Sequence, residues 1–533
     1  DGYNTAIGYR SGVAMTTGIK NTLIGSLAGD ALTTGIENVA IGYGALSSED
    51  SHGKNVAIGY NTLNNQDAGA DGYNVAIGYD VGKAITTGTN NTLIGGLAGD
   101  ALTTGNTNTA VGYAALSTET AGDRNVGIGY QALKNQNNTS NADVYNVAIG
   151  YEAGLSVTTG VDNVIIGGLA GDALTTGNYN IAIGKSALST EDGHGRNIAI
   201  GWQALKDLNA GTDAYNVAIG HDSGKFVTTG INNTIIGGLA GDALTTGSDN
   251  VAIGLQALGS EDGHGRNVAI GRSALESQDA GADAYNVAVG YNAGVFVSTG
   301  INNTIIGGLA GDALTTGERN IAIGTGALST EDTGSRNTAV GWFALNALNN
   351  DAQSFNTAVG YQAGVAVTTG THNTLVGGNA GQNVTTGERN TFMGYLAGAD
   401  TNIGQFNTAV GYDALRNNID GDSNVAIGHK ALEDYDGADG EGGNVAVGTS
   451  SGLNITTGQF NTTLGHQAGD ALTTGSRNTI IGVAAAASAV DVNNEITLGD
   501  SNITALRCQV TSISSLSDKR DKKDIKDSTY GLD

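Results

Sequence analysis

Three short loops gather the side chains best suited to holding a cation. SSEDSHGK (47 to 54), STEDGHGR (189 to 196) and GSEDGHGR (259 to 266) each bring Glu, Asp and His close together in sequence. A metal site needs at least three such ligands converging in one geometry, and the calcium-binding repeat G-G-x-G-x-D is absent. Acidic and glycine residues side by side are ordinary turn chemistry, so the loops read as solvated turns, with no metal and no cofactor assigned. Asp30, Asp100, Asp172, Asp242, Asp312 and Asp470 recur in GLAGDALTTG or close variants of it and read the same way. A second chemical feature is aromatic. Tyr9, Tyr43, Tyr60, Tyr79, Tyr113, Tyr130 and Tyr151 each follow a glycine, and Trp202 and Trp342 take that place elsewhere. Such a row reads as packing or subunit contact, with the two tryptophans as candidate glycan contacts through their amphipathic rings.

These residues are positioned by a repeat. The phrase N-x-(A/L/I)-(I/V)-G, with minor variants, recurs from Asn4 to Asn478, and its asparagines stand almost always 17 residues apart. A unit this short cannot bury its apolar side alone and must stack on copies of itself, giving a quasi-one-dimensional array. Two or three glycines per unit, at roughly 1 kcal/mol each in a helix, exclude a helical solenoid. With Asn as position 1, the first five residues alternate as a short strand does. Position 12 is again aliphatic, as in Met15, Leu32, Ile85 and Leu102, and sits in a second β-prone stretch leading into Thr-Thr-Gly. Each coil is therefore expected to carry two short strands. Its core is expected chiefly from positions 2, 4 and 12, with a leucine at position 9 in coils such as those of Leu46 and Leu63.

The fold class that follows is all-β: a parallel β-solenoid, or β-roll, of about 17-residue coils. Proline, which would remove a donor from the ladder, is absent. Twenty-eight Asn-started coils and a degenerate one at Glu495 predict a shaft of about 140 Å at the 4.8 Å strand spacing. Asn4, Asn74, Asn146, Asn216, Asn286 and Asn356 open blocks of 70 or 72 residues, four coils each. The fourth coil carries the extra residues, as in NNQDAGADGY (64 to 73) and KNQNNTSNADVY (134 to 145). Insertions in a solenoid go to loops, which predicts a bulge every four coils. The repeat array spans 1–494, a junction 495–516, and a segment of different, charged composition 517–533.

A net charge of −27 argues against nucleic acid and anionic membrane surfaces, which would repel the chain. The single cysteine, Cys508, cannot form an intrachain disulfide. No apolar run is long enough to span a bilayer as a helix. The chain begins at Asp1 without methionine, and the region that would attach the rod is expected upstream.

The N-V-A-I-G units resemble the head repeats of trimeric autotransporter adhesins, which form parallel β-rolls wound three to a trimer, although those repeats are somewhat shorter. The stretch NEITLGDSNITALRCQVTSISSLSDKRDKKDI (494 to 525) is similar to the junction preceding the endosialidase-type intramolecular chaperone of phage tail fibres and tailspikes. That family opens with S-D-x-R-x-K-x-x-I, matched here by Ser517, Asp518, Arg520, Lys522 and Ile525. The resemblance implies trimer assembly followed by self-cleavage next to Ser517, with Ser517 as nucleophile and Lys522 as general base. A serine hydroxyl does need such an adjacent base. The chain ends at Asp533, too soon for a complete chaperone domain. Without the match, SDKRDKKDIKD would read as a charged, solvated tail.

The expectation is a homotrimeric viral tail-fibre shaft, extracellular on the virion. It would be structural and host-receptor-binding, and non-catalytic apart from self-cleavage. Its partners would be itself, a host surface receptor such as a glycan, and other virion proteins. A cellular trimeric surface adhesin is the alternative, for which a C-terminal membrane-anchor β-barrel would speak. An ice-binding solenoid is disfavoured because coils ending SSEDSHGK and NNQDAGADGY interrupt the Thr-Thr face. A glycan-degrading tailspike needs paired carboxylates in a cleft, which a thin, uniform rod does not supply.

Overall fold

In the computed structural model, which describes residues 2–505 and residue 507, the chain forms a single parallel sheet of twenty-nine strands, all three residues long. They run from β1 (Thr5–Ile7), β2 (Thr22–Ile24) and β3 (Val39–Ile41) to β29 (Ile496–Leu498). Each strand pairs with the next in register, so that Ala6 faces Leu23 and Leu23 faces Ala40. The final pair places Ile480 against Thr497. The fold is the β-solenoid expected from the period, with one coil per strand and no helix among the described residues.

Two expectations about the coil are corrected. Only positions 2 to 4 form a strand; the second stretch, around position 12, is a chain of turns. Its backbone still joins neighbouring coils, through bonds such as Thr16 N–H to Thr33 O at 2.8 Å and Gly29 N–H to Ala45 O at 2.9 Å. Glycines in the left-handed region, such as Gly29 at φ +54°, break the extended run. The core also draws on the opposite strand face from that expected. Position 3 points inward and is fully buried, as in Leu23, Ala40, Ala57 and Ala76, while positions 2 and 4 face outward and are half-buried or exposed.

The interior is narrow enough for volume to be traded within a coil. Where position 3 is large, as Leu23 or Leu93, position 9 is glycine, and a Cβ on Gly29 or Gly99 would lie about 3 Å from that leucine side chain. Where position 3 is Ala40 or Ala57, position 9 becomes Leu46 or Leu63 and fills the space. Interiors tolerate neither voids nor overlaps; where both positions are small, as at Ala76 and Gly82, Leu63 and Leu93 of the adjacent coils reach in instead.

Position 1 supplies the other constant. The asparagines from Asn21 to Asn478 are buried and form a ladder beside the sheet. Asn163 accepts the Asn180 N–H at 2.9 Å and donates to Gly177 O at 2.9 Å. The glycine at position 5 is required by close approach: Gly237 has φ +136°, and a Cβ there would meet Gly254 O at 2.4 Å.

Candidate functional site

Position 12 is the column on which the repeat departs from uniformity. It is aliphatic in the first two coils of a block, but in the third coil it is Glu49, Glu119, Glu191, Glu261 or Glu331, every one fully buried. The reading of the three Glu-Asp-x-His loops as solvated turns is thus corrected for their glutamates. Position 12 points into the coil whatever residue occupies it, and the stacking of neighbouring coils leaves it no route to water. A buried carboxylate needs hydrogen-bond donors, and the following turn provides them. Glu49 accepts the His52 N–H, Glu191 the His194 N–H, Glu261 the His264 N–H and Glu331 the Gly334 N–H, at 2.7 to 3.1 Å. Burial nevertheless pushes the carboxyls of Glu49, Glu261 and Glu331 above the ordinary range, with these backbone bonds pulling the other way.

The fourth-coil insertion folds back over this turn. Lys54 bonds Asp71 at 2.7 Å and the Tyr73 hydroxyl at 2.9 Å. Arg124 with Asp143, Arg196 with Asp213, and Arg266 with Asp283 repeat the strap. At the tip of the insertion, Gly69, Gly211 and Gly281 would each put a Cβ into open space, so a protruding loop recurs along the rod where the extra residues predicted a bulge.

The aromatic residues form short exposed stacks rather than one continuous row. Tyr43, Tyr60 and Tyr79 stack with ring centroids 5.4 and 5.2 Å apart, as do Tyr113, Tyr130 and Tyr151 at 5.6 and 5.4 Å. Ser26, Gly96 or Gly168 in the second coil of a block ends each stack. Trp202 and Trp342, about 40% exposed, each lend one face to a neighbour: His221 at 4.7 Å and Tyr361 at 4.9 Å. The sequence brought neither tryptophan near a carboxylate pair, and the structure places them on separate blocks, 140 residues apart in the chain.

An open groove of about 870 Å³ runs along the coils between Ala366 and Thr457. Asn383, Asp400, Asn417 and Asp434 line it as an amide and carboxylate ladder. Asn383 donates to Asp400 at 2.8 Å, and Asn417 to Asp434 at 3.0 Å. These carboxylates are committed as acceptors within the ladder. The residues were not singled out from sequence, although their 17-residue spacing was the available signal.

The recurring Asp of GLAGDALTTG is half-buried. Desolvation raises the carboxyls of Asp100, Asp172, Asp242 and Asp312. Ser517, Lys522 and Cys508 lie outside the described residues. Among the described residues no helix is long and apolar enough to cross a membrane. No protein-family model matches the chain, and none of the curated proteins matches it.

Proposed function

We propose that the chain is the shaft of a homotrimeric tail fibre that carries host-receptor contacts on its surface. The observation that carries this reading is the outward face of the sheet. Positions 2 and 4 present Thr, Val and Ile, with Met or Leu in three coils, along the twenty-nine strands, beside exposed aromatic stacks. Ile149, Ile219, Ile306, Val359, Met393 and Ile427 each retain 36 to 44% exposure. An apolar stripe of this length exceeds the patches that monomers ordinarily expose, and a face that repeats without interruption is matched best by an identical face. A second copy of the same chain is therefore the occupant. The threefold arrangement and the virion setting rest on the resemblance of the repeats and on Ser517, Asp518, Arg520, Lys522 and Ile525. Receptor contact falls to the protruding insertions, the groove around Asp400 and the exposed edges of Trp202 and Trp342.

Light scattering tests the assembly: about 160 kDa, three times the 53.4 kDa chain, is expected, and a monomer removes the proposal. Introducing Ile183→Lys and Ile253→Lys on the outward face should yield folded monomers with an unchanged β-rich circular dichroism spectrum. Receptor binding is tested by adsorption of the labelled rod to bacterial cells, with loss of binding on Trp202→Ala and Trp342→Ala as the expected result. A cellular adhesin would share the trimer. It would be distinguished by the purified rod adhering to animal-cell matrix and failing to adsorb to bacteria.

A further inference from the structure

We propose that Glu261, Asp262, His264 and Asp279 hold a divalent cation of the zinc class between the third and fourth coils of their block. Each of the four offers a ligand atom, and these atoms all lie within 4.8 Å of one another. Glu49, Asp50, His52 and Asp67 repeat the arrangement.

An acidic cluster alone would carry no such conclusion. The second observation is that Glu261 is fully buried and its Oε2 has no hydrogen-bond partner, as is also true of Nδ1 of His264. The repeat supplies its own comparison. In the block where Thr120, Ala121 and Gly122 stand in place of Asp262, Gly263 and His264, both oxygens of Glu119 are satisfied by protein. Oε1 accepts four backbone N–H groups at 2.8 to 3.1 Å, and Oε2 accepts the Gln136 amide at 2.9 Å and both nitrogens of Asn138 at 3.3 Å. Gln278, the counterpart of Gln136, instead donates to Ser298 O. The side-chain amide that bonds Glu119 from position 12 of the next coil is thus spent elsewhere at Glu261, and a histidine and two further carboxylates stand around its unpaired oxygen.

The spacing suits ligands of one ion. His264 Nδ1 lies 3.7 Å from Glu261 Oε1, and the equivalent separations are 3.6 Å at His52 and 3.5 Å at His194. These are too long for hydrogen bonds but close to the roughly 3.4 Å between ligand atoms held tetrahedrally at about 2.1 Å. One imidazole with carboxylates favours zinc-class ions, whereas calcium takes six to eight oxygens. Three carboxyl groups beside one imidazole present oxygen and nitrogen donors that a divalent ion would satisfy together. In the third copy, Glu191, Asp192 and His194 converge, but Asn209 stands where the others have Asp67 and Asp279. At Glu49 the neighbouring Gln66 Nε2 is itself without a partner, which makes the Glu261 site the more complete case. A cation here would tie adjacent coils together beneath the insertion strap.

The test is calorimetric titration of the tag-free, chelator-stripped full chain with Zn²⁺. Two equivalents per chain are expected, with weaker uptake at the third copy, and Ca²⁺ at the same concentration should give none. His264→Gln should remove one equivalent, and His52→Gln with His264→Gln should remove both, leaving only the weaker uptake at the third copy. His466→Gln, outside the clusters, should change nothing. Co²⁺ should give the visible absorption of a tetrahedral site and lose it in the double variant. Asp279→Asn, an exposed change that spares the core, should weaken that site to the level of the third copy, where Asn209 stands. Absence of zinc uptake by the folded rod, or an unchanged stoichiometry in the double histidine variant, overturns the proposal, as does preferential uptake of Ca²⁺.

Discussion

At the scale of single residues, the asparagine at position 1 does work that its hydrophilic character conceals. Removing the Asn163 side chain leaves the Asn180 N–H and the Gly177 carbonyl without partners in a buried setting. Two orphaned groups cost about 3 kcal/mol together. Asn163→Ala should therefore speed hydrogen exchange of the Asn180 amide and its neighbours about 100-fold, as that free energy converts. A smaller effect of opposite sign is expected at Tyr435, which occupies position 12, is fully buried and has a hydroxyl with no partner. Its ring fits because Gly421 and Gly437 leave room beside it. Desolvation raises its phenol. Tyr435→Phe deletes only the unpaired hydroxyl and should stabilise the local coils by about 1 kcal/mol, seen as slower exchange around residues 424–444.

At the scale of the coil, buried or half-buried carboxylates dominate the response to acid. Glu331 and Asp100, Asp172, Asp242 and Asp312 are all raised, desolvation being the leading cause in each. A carboxyl raised on folding binds its proton more tightly in the folded state. Its stabilising contribution is therefore complete below the unfolded value of about 4 and is lost as pH rises through the folded value. Asp71, Glu495 and Asp500 are lowered by hydrogen bonds and act in the reverse sense, losing their contribution as pH falls through their folded values. These three are accessible, so the buried group should dominate above the ordinary carboxylate range, assisted by weaker self-repulsion among charges summing to −27. The thermal midpoint in chelator should rise as pH falls from 7 to about 5, then drop below about 4; a steady fall from pH 7 would contradict this balance.

At the scale of the whole molecule, each coil touches only its neighbours through the ladder, so stability is a sum of local terms rather than one cooperative core. Deleting residues 216–285, one complete block, joins Tyr215 to Asn286 in the context that Asn216 had. The shortened chain should fold and trimerise, with a rod shorter by about 19 Å, four strand spacings, when measured by electron microscopy. Failure to fold would show that blocks depend on distant partners.

The 17-residue period, the absence of proline and the alternation around each asparagine determined the solenoid, its parallel register and its coil count from sequence alone, because a ladder of stacked strands is a periodic object and periodicity is visible in one dimension. The third-coil glutamates were equally visible, yet their burial was not. Whether a residue points into a coil depends on the turn that follows the strand, and left-handed backbone at residues such as Leu46 (φ +54°) is not announced by residue type. For the same reason the inward role of position 3, the pairing of its volume with position 9, and the convergence of Glu261 and His264 with Asp279 from the next coil were decided only by the tertiary structure, where residues one turn apart in sequence become neighbours in space.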